Sequence, residues 1–489
     1  MAEQRVTRKQ VDAAIDLAET HFERCWRTLV AMKTAKISTQ TRDSIHSFQP
    51  RLATTLFDLS RQYVALGKER QRRVDRKSAY SATWFKKRMA FLSKEQERLL
   101  GALRIGRSIG DAFAFFFYQN DVQFLAQHTQ VEAVEVMSTG VGGRGELEAA
   151  KNMQMMGPYL VLHHCITSML RVGDLSFIDL NAFKVAGLGE IKSHSQGPGQ
   201  VTVSVSALCE GNIDDFMAAH PLARDASSEV PSVKLSPAAE DRLQRQMDRI
   251  QESHVSARKK PDKLINLRME NRMKVLAELL GQAKPGQMSC LRAGKGQVLF
   301  AYRPAKSTLS KRLRSAAART SGRSNIRGMD ELVETAAQLV LPERSDNAML
   351  MNYFFYGRDG SFRYLQGMTH PFWWPLPVKL LRQVIFREVM AGSAYNPAIL
   401  FSLLEEAGFE VDATEPFDPK VFRRVGDAMF TVAGMRFYLT AIQGYLMDEA
   451  AIVDALVAVY EVTMKDPDRL DKRISINLHQ RFGEPPAVA

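Results

Sequence analysis

The sequence predicts an α+β or α/β protein: a mixed β-sheet core flanked by helices, between large helical regions at both ends. Three observations predict it. Residues 5–105 contain one proline, Pro50, and little glycine, and their apolar residues recur at helical spacing. Residues 158–210 alternate apolar and polar in the manner of strands. From Asp330 to the end, helical patterns dominate again.

The chain has 489 residues and 45% hydrophobic content, ample for buried cores and enough for two to four domains. Its formal charge of +12 favours polyanionic partners such as nucleic acid. Cys25, Cys165, Cys209 and Cys290 form no CxxC pair, which argues against a zinc site or a disulfide framework. A reducing cytoplasm is the expected setting. The opening MAEQRVTRKQ has no apolar signal region, and no apolar run reaches the roughly 18 residues of a membrane span.

In the first region, Val11, Ile15, Ala18 and Phe22 share one helical face. Leu52, Leu56, Leu59 and Tyr63 form a second such face. KERQRRVDRK, residues 68–77, holds six basic and two acidic residues and is followed by Tyr80, Trp84, Phe85 and Lys86-Lys87-Arg88. Basic side chains interleaved with aromatics can grip a phosphate backbone or stack on bases; a solvated helix face is the plainer reading. Residues 108–128 read as a buried helix carrying Ile109, Ala112, Phe113, Phe116 and Phe117, with Ser108 as its cap. Asp111 and Asp121 on it are expected to cap or to face solvent.

STGVGGRGELEAA, residues 138–150, reads as a glycine-rich turn from which a helix begins at Glu146. It lacks the spacing of a phosphate-binding loop or a dinucleotide fingerprint. Three strands are then expected between Asp174 and Leu208, the last being QVTVSVSAL after the turn Gln196-Gly197-Pro198-Gly199. Residues 237–284 read as a charged helical segment, and Gln297 to Tyr302 as a strand. From Cys290 to Met329 there are ten Lys or Arg and no acid. Within that block Lys311, Arg312, Arg314, Arg319 and Arg323 are candidate nucleic-acid contacts. Tyr353 to Gly357 suggests a strand, and Trp373-Trp374 between prolines suggests a plug or a stacking platform.

The chemistry concentrates in RVGDLSFIDLNAFKVAGLGEIKSH, residues 171–194. It reads as a β-hairpin that brings Asp174 or Asp179 near Glu190 and Lys192. Strand alternation puts Glu190 and Lys192 on one face and Ile191 in the core. Two carboxylates on neighbouring strands can share a hard, oxygen-seeking cation such as Mg²⁺. A lysine beside them can orient a water or hold a phosphate. Asp174 makes the better partner for Glu190, because Leu175 to Leu180 then forms one strand with its turn near residues 181–184. His163, His164 and His194 lack the spacing of a zinc site.

Gly173-Asp174 followed by Gly189-Glu190-Ile191-Lys192, with Glu146 on a preceding helix, resembles the PD-(D/E)XK nuclease superfamily over about residues 140–305. Gly173 stands where many members have proline. The resemblance implies a restriction-endonuclease-like fold and Mg²⁺- or Mn²⁺-dependent cleavage of nucleic acid, DNA ahead of RNA. It implies Glu146, Asp174 and Glu190 (with Asp179 as the competing acid) as metal ligands, and Asp174, Glu190 and Lys192 as the catalytic set. A cytoplasmic endonuclease of restriction or anti-phage defence follows by analogy. The alternative is a non-catalytic nucleic-acid-binding or assembly subunit on the same scaffold. Either would meet a protein partner, or a second copy, through its helical regions. The expected organisation is a helical region 1–105, a nuclease-like domain 106–305 (core 140–210), a basic linker 306–329 and an α-rich domain 330–489.

Overall fold

The computed structural model describes residues 6–34, 39–118, 121–129, 135–156, 159–182, 184–197, 200–209, 244–245, 247–248, 250–252, 263–268, 272–303, 350–353, 376–386, 388–415, 418–426, 428–465 and 474–479. The chain divides into two compact units, one of residues 1–259 with 308–321, the other of residues 260–307 with 322–489. The expected border at 105/106 is therefore corrected. It falls in the middle of an unbroken helix, and the helical region shares a unit with the candidate site.

Three long helices build the first unit: α1 (Arg8–Lys33), α3 (Phe48–Asp75) and α4 (Ala82–Tyr118), with α2 (Thr39–His46) between the first two. Thr7 and Gln10 form a capping box at the start of α1. Val11, Ile15, Ala18 and Phe22 are fully buried, as their spacing implies, and so are Leu52, Leu56 and Leu59 of α3. Helix α4 is buried on every side from Gly101 to Tyr118. Ser108 does not cap it: the residue lies inside the helix, and its hydroxyl donates to the Arg104 carbonyl at 3.0 Å. Two shorter helices follow, α5 (Val122–Thr129) and α6 (Val141–Asn152). Helix α6 starts five residues before Glu146 and takes in Gly142, Gly143 and Gly145.

The sheet of this unit has the order β1 (Met155–Met156), β2 (Tyr159–His163), β3 (Leu175–Asp179), β4 (Lys184–Gly197) and β5 (Gln200–Cys209). All four pairings are antiparallel, so the expected mixed sheet is corrected to an antiparallel meander. The reason lies in the connections. A parallel neighbour needs a crossover of about a dozen residues or more, and only four residues separate β3 from β4 and two separate β4 from β5. Val161, Leu175, Phe177 and Ile191 point to one face, where Ala149 of α6 packs on them.

The second unit is also α+β, and its described part over residues 330–489 carries four helices beside six strands. It holds a sheet of order β7 (Gln287–Arg292), β8 (Gln297–Arg303), β10 (Met390–Tyr395) and β9 (Leu350–Tyr353). A three-stranded sheet of β11 (Glu410–Asp412), β12 (Lys420–Val425) and β13 (Ala428–Val432) joins it. Leu264 and Leu267, expected in a helix, lie in β6 (Lys263–Arg268), which pairs in parallel with β14 (Ile474–His479). The alternation Ile265, Asn266, Leu267, Arg268 suits a strand as well as a helix. Helices Met435–Tyr445 and Glu449–Met464 supply Leu439, Ile442, Ile452 and Leu456 to its core. Among the described residues no helix is long and apolar enough to cross a membrane.

Candidate active site

Strand pairing brings the first two acids together. Leu175 lies opposite Gly189, so the next position outward sets Asp174 opposite Glu190. Directly opposed residues have Cβ atoms about 5 Å apart. Asp174 is locked at this register. Its backbone N–H donates to the Gly189 carbonyl at 2.7 Å, and its Oδ2 accepts from the Ile191 N–H at 2.8 Å. Gly173 makes the approach possible. It has φ +70°, and a Cβ there would stand 2.6 Å from the Gly189 carbonyl oxygen.

Glu146 arrives from α6. Gly145 lets that helix lie against β4, because a Cβ at this position would sit 1.7 Å from Ser193 Oγ. Glu146, Asp174 and Glu190 then line one cavity of about 300 Å³, together with Arg107, His164 and Arg171.

Burial and mutual repulsion dominate the electrostatics. Burial, reinforced by the Asp174 charge, pushes the Glu146 carboxyl up to about 7 against the pull of Arg107 and Arg171. The Glu190 carboxyl is also pushed up to about 7, first by burial and then by Asp174, against the pull of Lys192. Asp174 is raised by burial, while the Ile191 N–H and a hydrogen bond with Glu190 pull it down. The opposed pair therefore shares a proton near neutral pH, with Glu190 as the donor. Lys192 Nζ stands 3.1 Å from Glu190 Oε1. Ile191, between them, is 7% exposed and faces the core.

The hydrogen bonds beneath the site fix two histidine tautomers. The Arg171 and Val172 N–H groups both donate to His128 Nδ1, at 2.9 and 3.0 Å. His128 Nε2 therefore carries the proton and donates to Tyr118 Oη at 3.0 Å. His164 Nδ1 donates to the Gly173 carbonyl at 2.9 Å, so its Nε2 accepts from Ser176 Oγ at 2.5 Å. The Tyr118 hydroxyl closes the chain by donating to Ser176 Oγ at 2.6 Å. Burial lowers His164 to about 3, so it stays neutral as this role requires. Asp111 and Arg107, one turn apart on α4, hold the same segment from the other side. Asp111 accepts from the Ser168 and Met169 N–H groups at 2.7 and 3.1 Å. Arg107 donates to the Cys165 and Thr167 carbonyls.

The structure does not bring every sequence candidate to the cavity. Asp179 sits at the far end of β3, where its Oδ1 accepts from the Asn181 and Ala182 N–H groups at 2.8 and 3.1 Å. It caps the hairpin turn and is about 17 Å along the strand from Asp174. As a metal ligand it is therefore set aside. Asp121 accepts from the Val185 N–H at 2.5 Å. His194 pairs across to Thr202, further along β4. Lys311, Arg312, Arg314, Arg319 and Arg323, like Trp373 and Trp374, lie outside the described residues. Sequence reasoning missed Arg107, His128, His164, Arg171 and Ser176. A signal existed for the first: Arg107 and Asp111 stand four residues apart in a segment otherwise built of small and apolar residues.

The donor chemistry suits a hard dication. Among the described residues no three acid, His or Cys side chains already stand as a ready-made ligand group. Mg²⁺ does not require one, since it is usually held by one or two carboxylates with waters and substrate phosphate completing its shell. The Asp174–Glu190 pair provides two. The Ile191 N–H points to Asp174, and in a strand the carbonyl of the same residue points to the same side. No protein family, curated protein or solved structure matches the chain.

Proposed function

We propose that the first unit is a Mg²⁺-dependent nuclease of PD-(D/E)XK type that hydrolyses phosphodiester bonds, DNA ahead of RNA. The observation that carries the reading is the direct opposition of Asp174 and Glu190 in one cavity with Glu146, with Lys192 bound to Glu190. Carboxyls gathered this way repel one another and are partly protonated near neutral pH. A dication relieves that repulsion, which gives such a cluster a reason to exist.

Asp174 and Glu190 would hold the cation, with the Ile191 carbonyl as a third oxygen and Glu146 on the opposite wall. Bound Mg²⁺ supplies charge neutralisation at the phosphate and an acidified water. Lys192, freed from Glu190, would orient the water or contact a phosphate oxygen. Glu146 would accept a proton from the attacking water. Arg171 and Arg107 supply positive potential to the same cavity.

The test is plasmid and oligonucleotide cleavage with Mg²⁺, Mn²⁺ or EDTA. Lys192→Ala and Asp174→Asn are expected to lose about 10²-fold or more in rate, the range of a single positioned group. Equal nicking by wild type and both variants, or nicking that survives EDTA, would sink the assignment. Binding without cleavage in every metal would favour a nucleic-acid-binding subunit instead.

A further inference from the structure

The tip of the α3–α4 hairpin lies outside the cavity. Between Lys68 and Arg88 the sequence holds nine Lys or Arg and two acids. The acids offset little of this charge, since one is buried and paired and the other is a single exposed carboxylate. Glu69 is buried and bound to Arg88 at 2.6 Å and to Arg73 at 3.8 Å. Asp75 accepts from Gln71 Nε2 at 2.8 Å. Lys68, Arg70, Arg72, Lys77, Lys86 and Lys87 are all exposed.

A solvated helix face would have this charge but not what stands among it. Trp84 is 37% exposed and stacks on Tyr80, with ring centroids 4.6 Å apart. The pair is held from below. Arg73 is buried, donates to Tyr80 Oη at 2.5 Å, and sets its guanidinium 5.3 Å from the Tyr80 ring and 5.8 Å from the Trp84 ring. Arg73 is fixed in turn by the buried Glu69. A rigid aromatic pair ringed by cations is the combination that single strands use, with stacking for the bases and charge for the backbone.

We propose that this hairpin tip is a binding platform for single-stranded nucleic acid, with Trp84 and Tyr80 as the stacking surface and Lys86 and Lys87 among its phosphate contacts. Its link to cleavage rests on the nuclease reading above. Trp84 and Arg107 are on the same helix, 23 residues apart, and Arg107 lines the cavity. At about 1.5 Å per residue the separation is roughly 35 Å. A strand cut in the cavity would thus be gripped roughly 35 Å away.

The experiment is fluorescence anisotropy of a labelled 30-nucleotide dT strand and of a duplex of equal length, across a salt series in EDTA. Working without metal keeps the outcome independent of the cavity's chemistry. Trp84→Ala is expected to weaken single-strand binding about tenfold, and Trp84→Phe to restore it to within about threefold. Lys86→Glu with Lys87→Glu should lower the salt slope by at least about 1.4, the share of two phosphate contacts on a single strand. Circular dichroism and melting of each variant report whether the hairpin still folds. Wild-type affinity in both folded variants overturns the proposal. Loss in the lysine variant with none in Trp84→Ala reduces the tip to charge attraction and overturns the platform. A duplex bound as tightly as the single strand overturns the single-strand preference. Trp84-dependent binding by a protein that cleaves nothing would leave the platform standing while the nuclease reading falls.

Discussion

Replacing Glu146 by glutamine is expected to stabilise the metal-free protein at alkaline pH. Burial and the Asp174 charge raise this carboxyl from 4.5 to about 7. The folded state therefore holds its proton more tightly than the unfolded chain does. For an acid shifted upward, the stabilising contribution is complete below the unfolded value and is lost as pH rises through the folded one. Stability of the metal-free protein should then fall from about pH 4.5 to pH 7 and level off by pH 8. At pH 8 the ionised side chain costs about 3 kcal/mol relative to a neutral one, taking 1.36 kcal/mol per tenfold change in proton affinity. Glutamine keeps the shape and cannot ionise.

The assay is thermal unfolding in EDTA from pH 5.5 to 8.5. At pH 8 the Glu146→Gln variant should melt several degrees above wild type, since about 1 kcal/mol moves the melting point of a 150–250-residue unit by roughly 2–4 °C. At pH 5.5, where Glu146 is protonated in the folded protein but still largely ionised in the unfolded chain, the gap should shrink to about 1.4 kcal/mol, and it closes only below about pH 4.5. Saturating Mg²⁺ should raise the wild-type melting point at pH 8 and raise the variant less, because stabilisation by a ligand grows with the logarithm of its affinity. A variant less stable than wild type at pH 8, or a wild-type melting point flat from pH 6 to 8, would refute the reasoning.

Three further outcomes are expected. Asp179→Ala should lose the turn cap, about 1 kcal/mol by chemical denaturation, and leave cleavage within threefold of wild type; a large loss of activity would return Asp179 to the site. Ser176→Ala should cost about 1–3 kcal/mol, because it strips the Tyr118 hydroxyl and His164 Nε2 of a buried partner, whereas Ser204→Ala on β5, two strands away, should be near neutral; equal melting of the two would contradict the hydrogen-bond chain. Gly145→Ala should force α6 off β4 and lower stability by about 1–3 kcal/mol, with partial recovery when Ser193→Gly removes the colliding side chain; a well-tolerated alanine would mean that the helix does not dock this closely.

The sequence made some of this legible and hid the rest for physical reasons. Periodicity is local, so the buried faces of α1 and α3 and the strands β3 to β5 could be read directly. The opposition of Asp174 and Glu190 could be expected but not counted from the turn, because a bulge between Phe177 and Ile178 shifts the register by one and so brings Glu190, not Gly189, opposite Asp174. Asp179 competed on paper only because parity alone does not say which end of a strand the cavity occupies. The start of α6 was misplaced by its glycines, which ordinarily break helices but here clear space for β4 and Ser138. The antiparallel order could have been inferred from connection lengths, whereas β6 could not, since its partner β14 lies two hundred residues away. The support of the site by His128, Tyr118 and Ser176 depends on contacts between residues up to 58 apart, which no window of sequence contains.

That support explains why the first unit is mostly helix although its chemistry sits on a sheet. The site gathers three carboxyls that destabilise one another when ionised, and Asp174 is carried by a segment, residues 164–174, with little regular structure of its own. Left to itself such a segment would relax and separate the charges. It is instead fastened at both ends and in the middle. His164 and His128 bind residues 171–173, Asp111 binds 168–169, and Arg107 binds 165 and 167. Arg107, Asp111 and Tyr118 belong to the fully buried end of α4, which α1 and α3 enclose through Phe22, Leu52 and Leu56. The apolar bundle thus supplies the stability that the acid cluster removes. Asp111→Ala tests this division of labour: it should loosen 168–169 in hydrogen exchange and weaken metal binding at the cavity, while the exchange of α1 stays as in wild type. Loss of protection across α1 as well would mean that Asp111 holds the bundle together rather than the site.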